Sequence, residues 1–202
     1  RKQLKNKGAE FIVTLFDTRI SDNYATVEDI ELFYQIFLNE CLNDKTFGLL
    51  IKSKDSGFKT KLKKIESLFN SAKETGRCLV LEEKSEVRKN LWKINNMFTF
   101  FPAMASDLTV SFSISTSGTE SALAGTRAVY YNHMKQTDHP YYANGGKNQL
   151  VFDDLGELVN SIPRYREGDF PDLGDHRHII DDIDPFRDGK SGDRIGTYLK
   201  DF

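Results

Sequence analysis

The sequence predicts a doubly wound α/β fold, in which helices cover both faces of a mostly parallel sheet of about six strands. Short apolar runs alternate with amphipathic segments along most of the chain, a pattern typical of β–α–β units. The apolar runs are continuous rather than alternating, as expected for strands that are covered on both faces. Because crossovers between parallel strands are right-handed, successive helices are expected to pack onto a single twisted sheet.

The predicted strands are short runs rich in Val, Ile, Leu and Phe. The first covers residues 11–16 and ends at the polar residues 17–19. The second covers residues 46–51 and ends at the polar residues 52–54. Further strands are predicted at residues 78–81, 108–112, 128–131 and 150–152.

Helices are predicted between the strands. Thr26 can cap the helix after the first strand, because Glu28 and Asp29 follow in the first turn, where the helix dipole favours acidic residues. A second amphipathic helix is predicted at residues 59–72, and residues 84–96 are interpreted as helical or irregular. Shorter helices are predicted at residues 98–105, 119–124, 155–162 and 190–202.

The length fits one domain with an appended segment. A chain of 202 residues can bury a substantial core. Residues 1–162 are predicted to form a Rossmann-like domain. Residues 163–202 are predicted to form an irregular segment and a C-terminal helix that pack on the same domain.

The composition argues against several classes of protein. Lys and Arg number 28 against 30 Asp and Glu, and this balance gives no general attraction to nucleic acid. Cys41 and Cys78 are interpreted as buried reduced thiols. No apolar run approaches the roughly 18 residues needed to cross a bilayer. No signal peptide is visible, so a cytoplasmic location is expected. The chain opens on Arg1 rather than methionine, which leaves open whether it is part of a longer protein.

The polar stretch after the fourth strand is the strongest candidate for a binding site. Ligands of open α/β sheets bind outside the carboxyl ends of the strands. Residues 113–119 are mostly Ser, Thr and Gly, and a helix starting near Thr119 would direct its free N–H groups at that point. Residues 106–132 are therefore predicted to hold an anionic, phosphorylated ligand, without a Walker lysine. In the alternative interpretation the turn only caps its own helix.

Other charged residues have two interpretations each. Glu120 either favours the helix dipole or accepts hydrogen bonds from a ribose diol. Arg19, Lys52 and Lys54 follow predicted strands and either neutralise a diphosphate or are solvated charges. The 4 histidines match no standard ligand spacing, so no metal site is predicted.

Two segments have a recognisable order of residue types. In the first, Asp107 precedes an apolar strand, Glu120 closes the Ser/Thr/Gly turn, and Gly125 precedes the next apolar strand. This order resembles the donor-binding half of GT-B glycosyltransferases. In the second, residues 184–199 read DPFRDGKSGDRIGTYL, which is similar to the C-terminal ending of bacterial surface-polysaccharide transferases, including the glycerophosphotransferases of teichoic acid synthesis.

The resemblance implies a nucleotide-sugar donor and no cofactor or metal. It implies a ribose against Glu120 and a base near residues 81–92, with Arg19 and Lys52 as charge partners of the diphosphate. The diphosphate itself would lie against Ser115, Thr116, Ser117, Gly118 and Thr119. Peripheral membrane association is an expectation for the full-length protein only.

The sequence departs from this family in two respects. Such enzymes usually have an N-terminal acceptor domain that often supplies the catalytic base, and 202 residues leave no room for one. No catalytic residue is therefore assigned. The glycerophosphotransferases commonly have a histidine after the second strand, where this chain has residues 52–54, Lys-Ser-Lys, which favours a sugar transferase. Two alternatives stay open: an enzyme resembling UDP-amino-sugar 2-epimerases, and a non-catalytic nucleotide-binding module.

Overall fold

The strands form one parallel sheet in the computed structural model, which describes residues 1–21, 24–54, 62–81, 99–183 and 185–200. Within these residues the sheet order is β3-β2-β1-β4-β5-β6, and every neighbouring pair is parallel. The predicted fold class is therefore confirmed, with the strand order of the Rossmann fold. The strands are β1 Phe11–Phe16, β2 Phe47–Lys52, β3 Cys78–Val80, β4 Leu108–Phe112, β5 Arg127–Tyr131 and β6 Val151–Phe152.

Helices connect most of the strands. A 3₁₀ turn at Lys63–Ile65 leads into the third helix, and a π-helical turn at Tyr142–Gly146 lies between β5 and β6. The α-helices are α1 Lys2–Lys5, α2 Val27–Asn43, α3 Glu66–Glu74, α4 Phe100–Met104, α5 Thr116–Leu123, α6 Leu155–Glu167, α7 Ile180–Ile183 and α8 Ser191–Lys200.

The larger part of the core lies between one face of the sheet and helices α2, α3 and α6. Val13 and Leu15 of β1 pack there with Phe33 of α2. Phe33 also makes an edge-to-face contact with Phe112 of β4, at a centroid distance of 5.3 Å. The position of α2 is fixed locally by a capping box, in which Thr26 and Asp29 bond each other's main-chain N–H groups. The cap predicted at Thr26 is thus confirmed.

The opposite face is covered by α1, α4 and α5. The Thr14 hydroxyl of β1 donates to the carbonyl oxygen of Pro102 in α4, at 3.2 Å. Leu4 of α1 packs in a small apolar cluster with Ile12 of β1. Helices on both faces make the sheet doubly wound, so that β1 leads into a helix on one face and β4 into a helix on the other.

Two predicted helix boundaries are wrong. α5 begins at Thr116 rather than at Thr119, because Ser115 has the extended backbone of an N-cap residue. α6 does not stop before Pro163 but runs to Glu167 and ends at Gly168, whose φ of 88° is left-handed. Pro163 is exposed, whereas Leu158 and Ile162 of the same helix are buried, so the packing of α6 outweighs the main-chain hydrogen bond that Pro163 removes.

Some predictions fall outside the described residues, namely the helical or irregular segment 84–96 and most of the base contact at 81–92. The C-terminal helix was predicted at 190–202, and its described part is Ser191–Lys200. None of the helices in the described ranges is long and apolar enough to span a membrane.

Candidate functional site

The carboxyl ends of β1 and β4 form the switch point of the sheet. The two strands are neighbours, and the chain leaves them toward opposite faces of the sheet. Such a topological switch point is where open α/β sheets bind their ligands. The residues that follow β1 and β4 are therefore taken as the candidate site.

Ser113, the first residue after β4, has a strained backbone. Its φ is 68°, a left-handed value that non-glycine residues rarely adopt. The residue is 7% exposed, and its N–H donates to the Tyr131 carbonyl of β5 at 2.8 Å. Strain of this kind often occurs at ligand-binding positions, because the surrounding structure must hold it in place. Here it turns the chain sharply from β4 toward the start of α5.

The N-terminus of α5 lies at this switch point, because α5 begins at Thr116, shortly after β4 ends at Phe112. The Ser115 side chain makes no capping hydrogen bond. Within the described residues, the N–H groups of Thr116 and Ser117 have no main-chain or side-chain acceptor. The positive end of the helix dipole and these N–H groups together suit an anion. The alternative interpretation was that the turn only caps its own helix. The Ser115 side chain does not cap α5.

Two exposed residues define the outer side of α5. Thr116 and Glu120 are both exposed, whereas Gly118 and Ser121 are buried. Residues four apart lie on the same side of a helix. The Glu120 side chain therefore lies on the same side of α5 as the Thr116 side chain, one helical turn further along the helix.

Gly118 and Thr119 attach α5 to β5. A Cβ atom at Gly118 would lie 2.2 Å from Cε1 of Tyr130, so this position needs glycine for packing. The Thr119 hydroxyl lies 2.8 Å from the Tyr141 hydroxyl and 3.4 Å from that of Tyr130. The N–H groups of Gly118 and Thr119 both donate to the Ser115 carbonyl. Their predicted contact with phosphate stays a prediction, and their observed contacts are structural.

Asp17 joins the carboxyl ends of β1 and β2. Its Oδ2 accepts from the Tyr34 hydroxyl at 2.8 Å and the Ser53 hydroxyl at 2.6 Å, and its Oδ1 accepts from the Lys54 N–H at 2.6 Å. Burial raises the pKa of the Asp17 carboxyl above its usual value, although hydrogen bonds from Ser53, Lys54 and Tyr34 act in the opposite direction. The sequence did not indicate these partners, because they come from distant segments.

The raised pKa of Asp17 predicts a pH dependence of stability. A carboxyl whose pKa is higher in the folded than in the unfolded state stabilises the fold most at pH values below 3.8, and this contribution is lost as pH rises through the folded-state pKa. Asp17→Asn removes the titration. We expect the stability of wild type relative to the variant to fall as pH rises from 4 toward 7, as measured by urea denaturation at each pH. A pH-independent difference would contradict the prediction.

The predicted basic residues lie at the same edge of the sheet. Arg19 is exposed in the loop after β1, and Lys52 is the last residue of β2. In the described part of the chain neither of them forms an ion pair with an acidic side chain. Arg19 follows β1, the direct neighbour of β4, whereas Lys52 ends β2, one strand further from β4.

The described residues contain no group of three or more His, Cys, Asp or Glu side chains that could hold a metal ion. His176 is buried, and its Nδ1 is 3.1 Å from the Gly174 carbonyl oxygen. Burial lowers the pKa of His176 to about 4, so its imidazole is neutral near pH 7. It supports the tyrosines beneath α5, with ring centroids 5.7 Å from Tyr141 and 5.8 Å from Tyr130.

Comparison with known proteins adds no family assignment. No protein-family model matches the chain, and no curated protein matches it significantly. A functional proposal therefore depends on the fold, the switch point and the residue patterns at it.

Proposed function

We propose that this chain is the donor-binding domain of a nucleotide-sugar-dependent glycosyltransferase that acts in surface polysaccharide synthesis. The observation that carries the proposal is the uncapped N-terminus of α5 beside the switch point between β1 and β4. Its free N–H groups suit a diphosphate, and the resemblance of residues 105–131 to GT-B donor domains supports a sugar nucleotide as its source.

The proposed arrangement uses the outer side of α5. The N–H groups of Thr116 and Ser117 bind the diphosphate, and the exposed Arg19, in the loop that follows the neighbouring strand β1, contributes a positive charge. Glu120 accepts hydrogen bonds from the ribose hydroxyl groups, one helical turn along the same surface. When the bond between sugar and phosphate breaks, the leaving diphosphate gains negative charge, which the helix N-terminus and Arg19 stabilise. This chemistry needs no metal, and the acceptor and its catalytic base come from outside the chain.

The variant Thr116→Pro tests the diphosphate site. Proline is favoured at the first position of a helix, and the extended Ser115 backbone suits a residue that precedes proline. The substitution removes one N–H donor and leaves the helix intact. We expect the melting temperature to be unchanged and the affinity for nucleoside diphosphates to fall about tenfold or more. Isothermal titration calorimetry with UDP, CDP, GDP and ADP measures the affinity.

Two further variants make the test specific. Thr116→Ala keeps the N–H and removes only the hydroxyl group, so it should bind nearly as wild type does. Glu120→Ala should weaken nucleoside diphosphates while leaving inorganic pyrophosphate unaffected, because pyrophosphate has no ribose. If Thr116→Pro binds the nucleotides as tightly as wild type does, the diphosphate does not lie at this helix. If wild type binds none of them, the proposed function is wrong.

A further inference from the structure

His133 lies at the edge of the candidate site, and the proposed donor binding gives it no role. It follows β5 by two residues, at the carboxyl edge of the sheet. Its ring packs against Phe112, the last residue of β4, with a centroid distance of 4.4 Å. The imidazole therefore covers the carboxyl end of β4, next to the strained Ser113.

The same imidazole reaches the loop between β1 and α2, here called the β1–α2 loop and described at residues 17–21 and 24–26. His133 Nε2 lies 2.5 Å from the main-chain carbonyl oxygen of Tyr24. A carbonyl oxygen only accepts, so Nε2 carries the proton and donates. The Tyr24 ring packs edge-to-face against the imidazole, with a centroid distance of 5.5 Å. Because β4 lies between β1 and β5, this bridge spans the end of β4.

The second ring nitrogen makes no further bond. His133 Nδ1 is buried and has no hydrogen-bond partner in the described part of the chain. The polar contact of the imidazole with the β1–α2 loop is therefore the bond from Nε2 to Tyr24.

We propose that His133 is a positioning residue for the diphosphate. By holding the Tyr24 carbonyl, it fixes the position of the β1–α2 loop, which also carries Arg19, relative to the end of β4 and the start of α5. The inference rests on the proposed function, because it concerns the ligand proposed there.

The variant His133→Phe distinguishes the effect of the ring packing from the effect of the hydrogen bond. Phenylalanine keeps an aromatic ring against Phe112 but cannot donate to Tyr24. We expect the affinity for inorganic pyrophosphate to fall about fivefold or more, as is typical of coupling between a ligand and a distant contact. We also expect faster amide hydrogen exchange at residues 18–21 without ligand, with a melting temperature within about 2 °C of wild type.

The control variants test the hydrogen bond itself. His133→Gln retains an N–H donor and should restore most of the affinity. Tyr24→Phe leaves the main-chain carbonyl in place, so it should bind pyrophosphate as wild type does. If His133→Phe does not fold, His133→Leu is the second variant without a donor, with the same expected loss.

The measured affinities distinguish a failure of this inference from a failure of the proposed function. If wild type binds pyrophosphate and the variants without a donor bind it equally well, this inference is overturned and the proposed function stands. A lower melting temperature with unchanged affinity and loop exchange would show a purely structural role and would also overturn it. If wild type binds neither pyrophosphate nor any nucleoside diphosphate, the proposed function falls and this inference falls with it.

Discussion

Gly118→Ala is expected to destabilise the protein by about 3 kcal/mol, near the upper end for overpacking a well-packed core. The new Cβ would lie 2.2 Å from Cε1 and 2.6 Å from Cζ of Tyr130. Tyr130 is fully buried, and its ring packs against Tyr141 and His176. The ring therefore has no free space into which to move. For a chain of this length the melting temperature should fall by about 10 °C, measured by calorimetry.

The matched control is Gly196→Ala in α8. A Cβ at Gly196 meets no atom of the described residues within 4 Å, so this substitution should be neutral or stabilise by about 0.5–1 kcal/mol through helix propensity. The double variant Gly118→Ala with Tyr130→Ala should cost less than the sum of the single variants, because removing the ring relieves the clash. Additive costs would show that the two residues are not coupled.

Arg77→Ala is expected to destabilise the protein by about 3 kcal/mol, because it removes hydrogen bonds from a buried charged group. Arg77 is 9% exposed, and it donates to the Cys41 carbonyl at 2.6 Å and the Phe47 carbonyl at 3.4 Å. The last turn of α2 has no basic residue of its own. Arg77 therefore supplies the cation that favours the C-terminal end of a helix, and it joins that end to β2. Urea denaturation measures the decrease in the free energy of unfolding.

Two variants test whether the guanidinium geometry matters. Arg77→Lys keeps the charge but has no planar fork that bonds two carbonyls, so it should retain only part of the stability. Arg19→Ala removes an exposed arginine and should change the free energy of unfolding by less than about 0.5 kcal/mol. A cost for Arg77→Ala no larger than that for Arg19→Ala would show that the buried bonds contribute nothing net.

Strand positions could be predicted closely because each buried strand is a continuous apolar run. β1 and β4 have the predicted bounds, residues 11–16 and 108–112. Helix boundaries were predicted less well, because they depend on backbone conformation and on packing rather than on hydrophobicity. The extended backbone of Ser115 places the start of α5 at Thr116, which is an effect of backbone conformation. α6 continues through the exposed Pro163, which is an effect of packing.

The candidate site was predicted in part. The order of residues predicted a Ser/Thr/Gly turn and a helix start after the fourth strand, although the start was placed at Thr119 and lies at Thr116. The strand order that makes this place the switch point came only from the structure. The residue that each side chain contacts could not be predicted from the sequence. The sequence does not show that Gly118 faces Tyr130, or that Thr119 bonds Tyr141, because these contacts join segments that only the folded sheet brings together.

The amino-acid sequence by itself determined the fold class and the segment that carries the candidate anion site, because periodicity and turn chemistry are local properties. The tertiary structure decided which of those residues remain open to a ligand. It turned Gly118 and Thr119 inward as packing residues and left the N–H groups of Thr116 and Ser117 without an acceptor among the described residues. It also brought His133 to Tyr24 across β4, since contacts between strands depend on the sheet order rather than on distance along the chain.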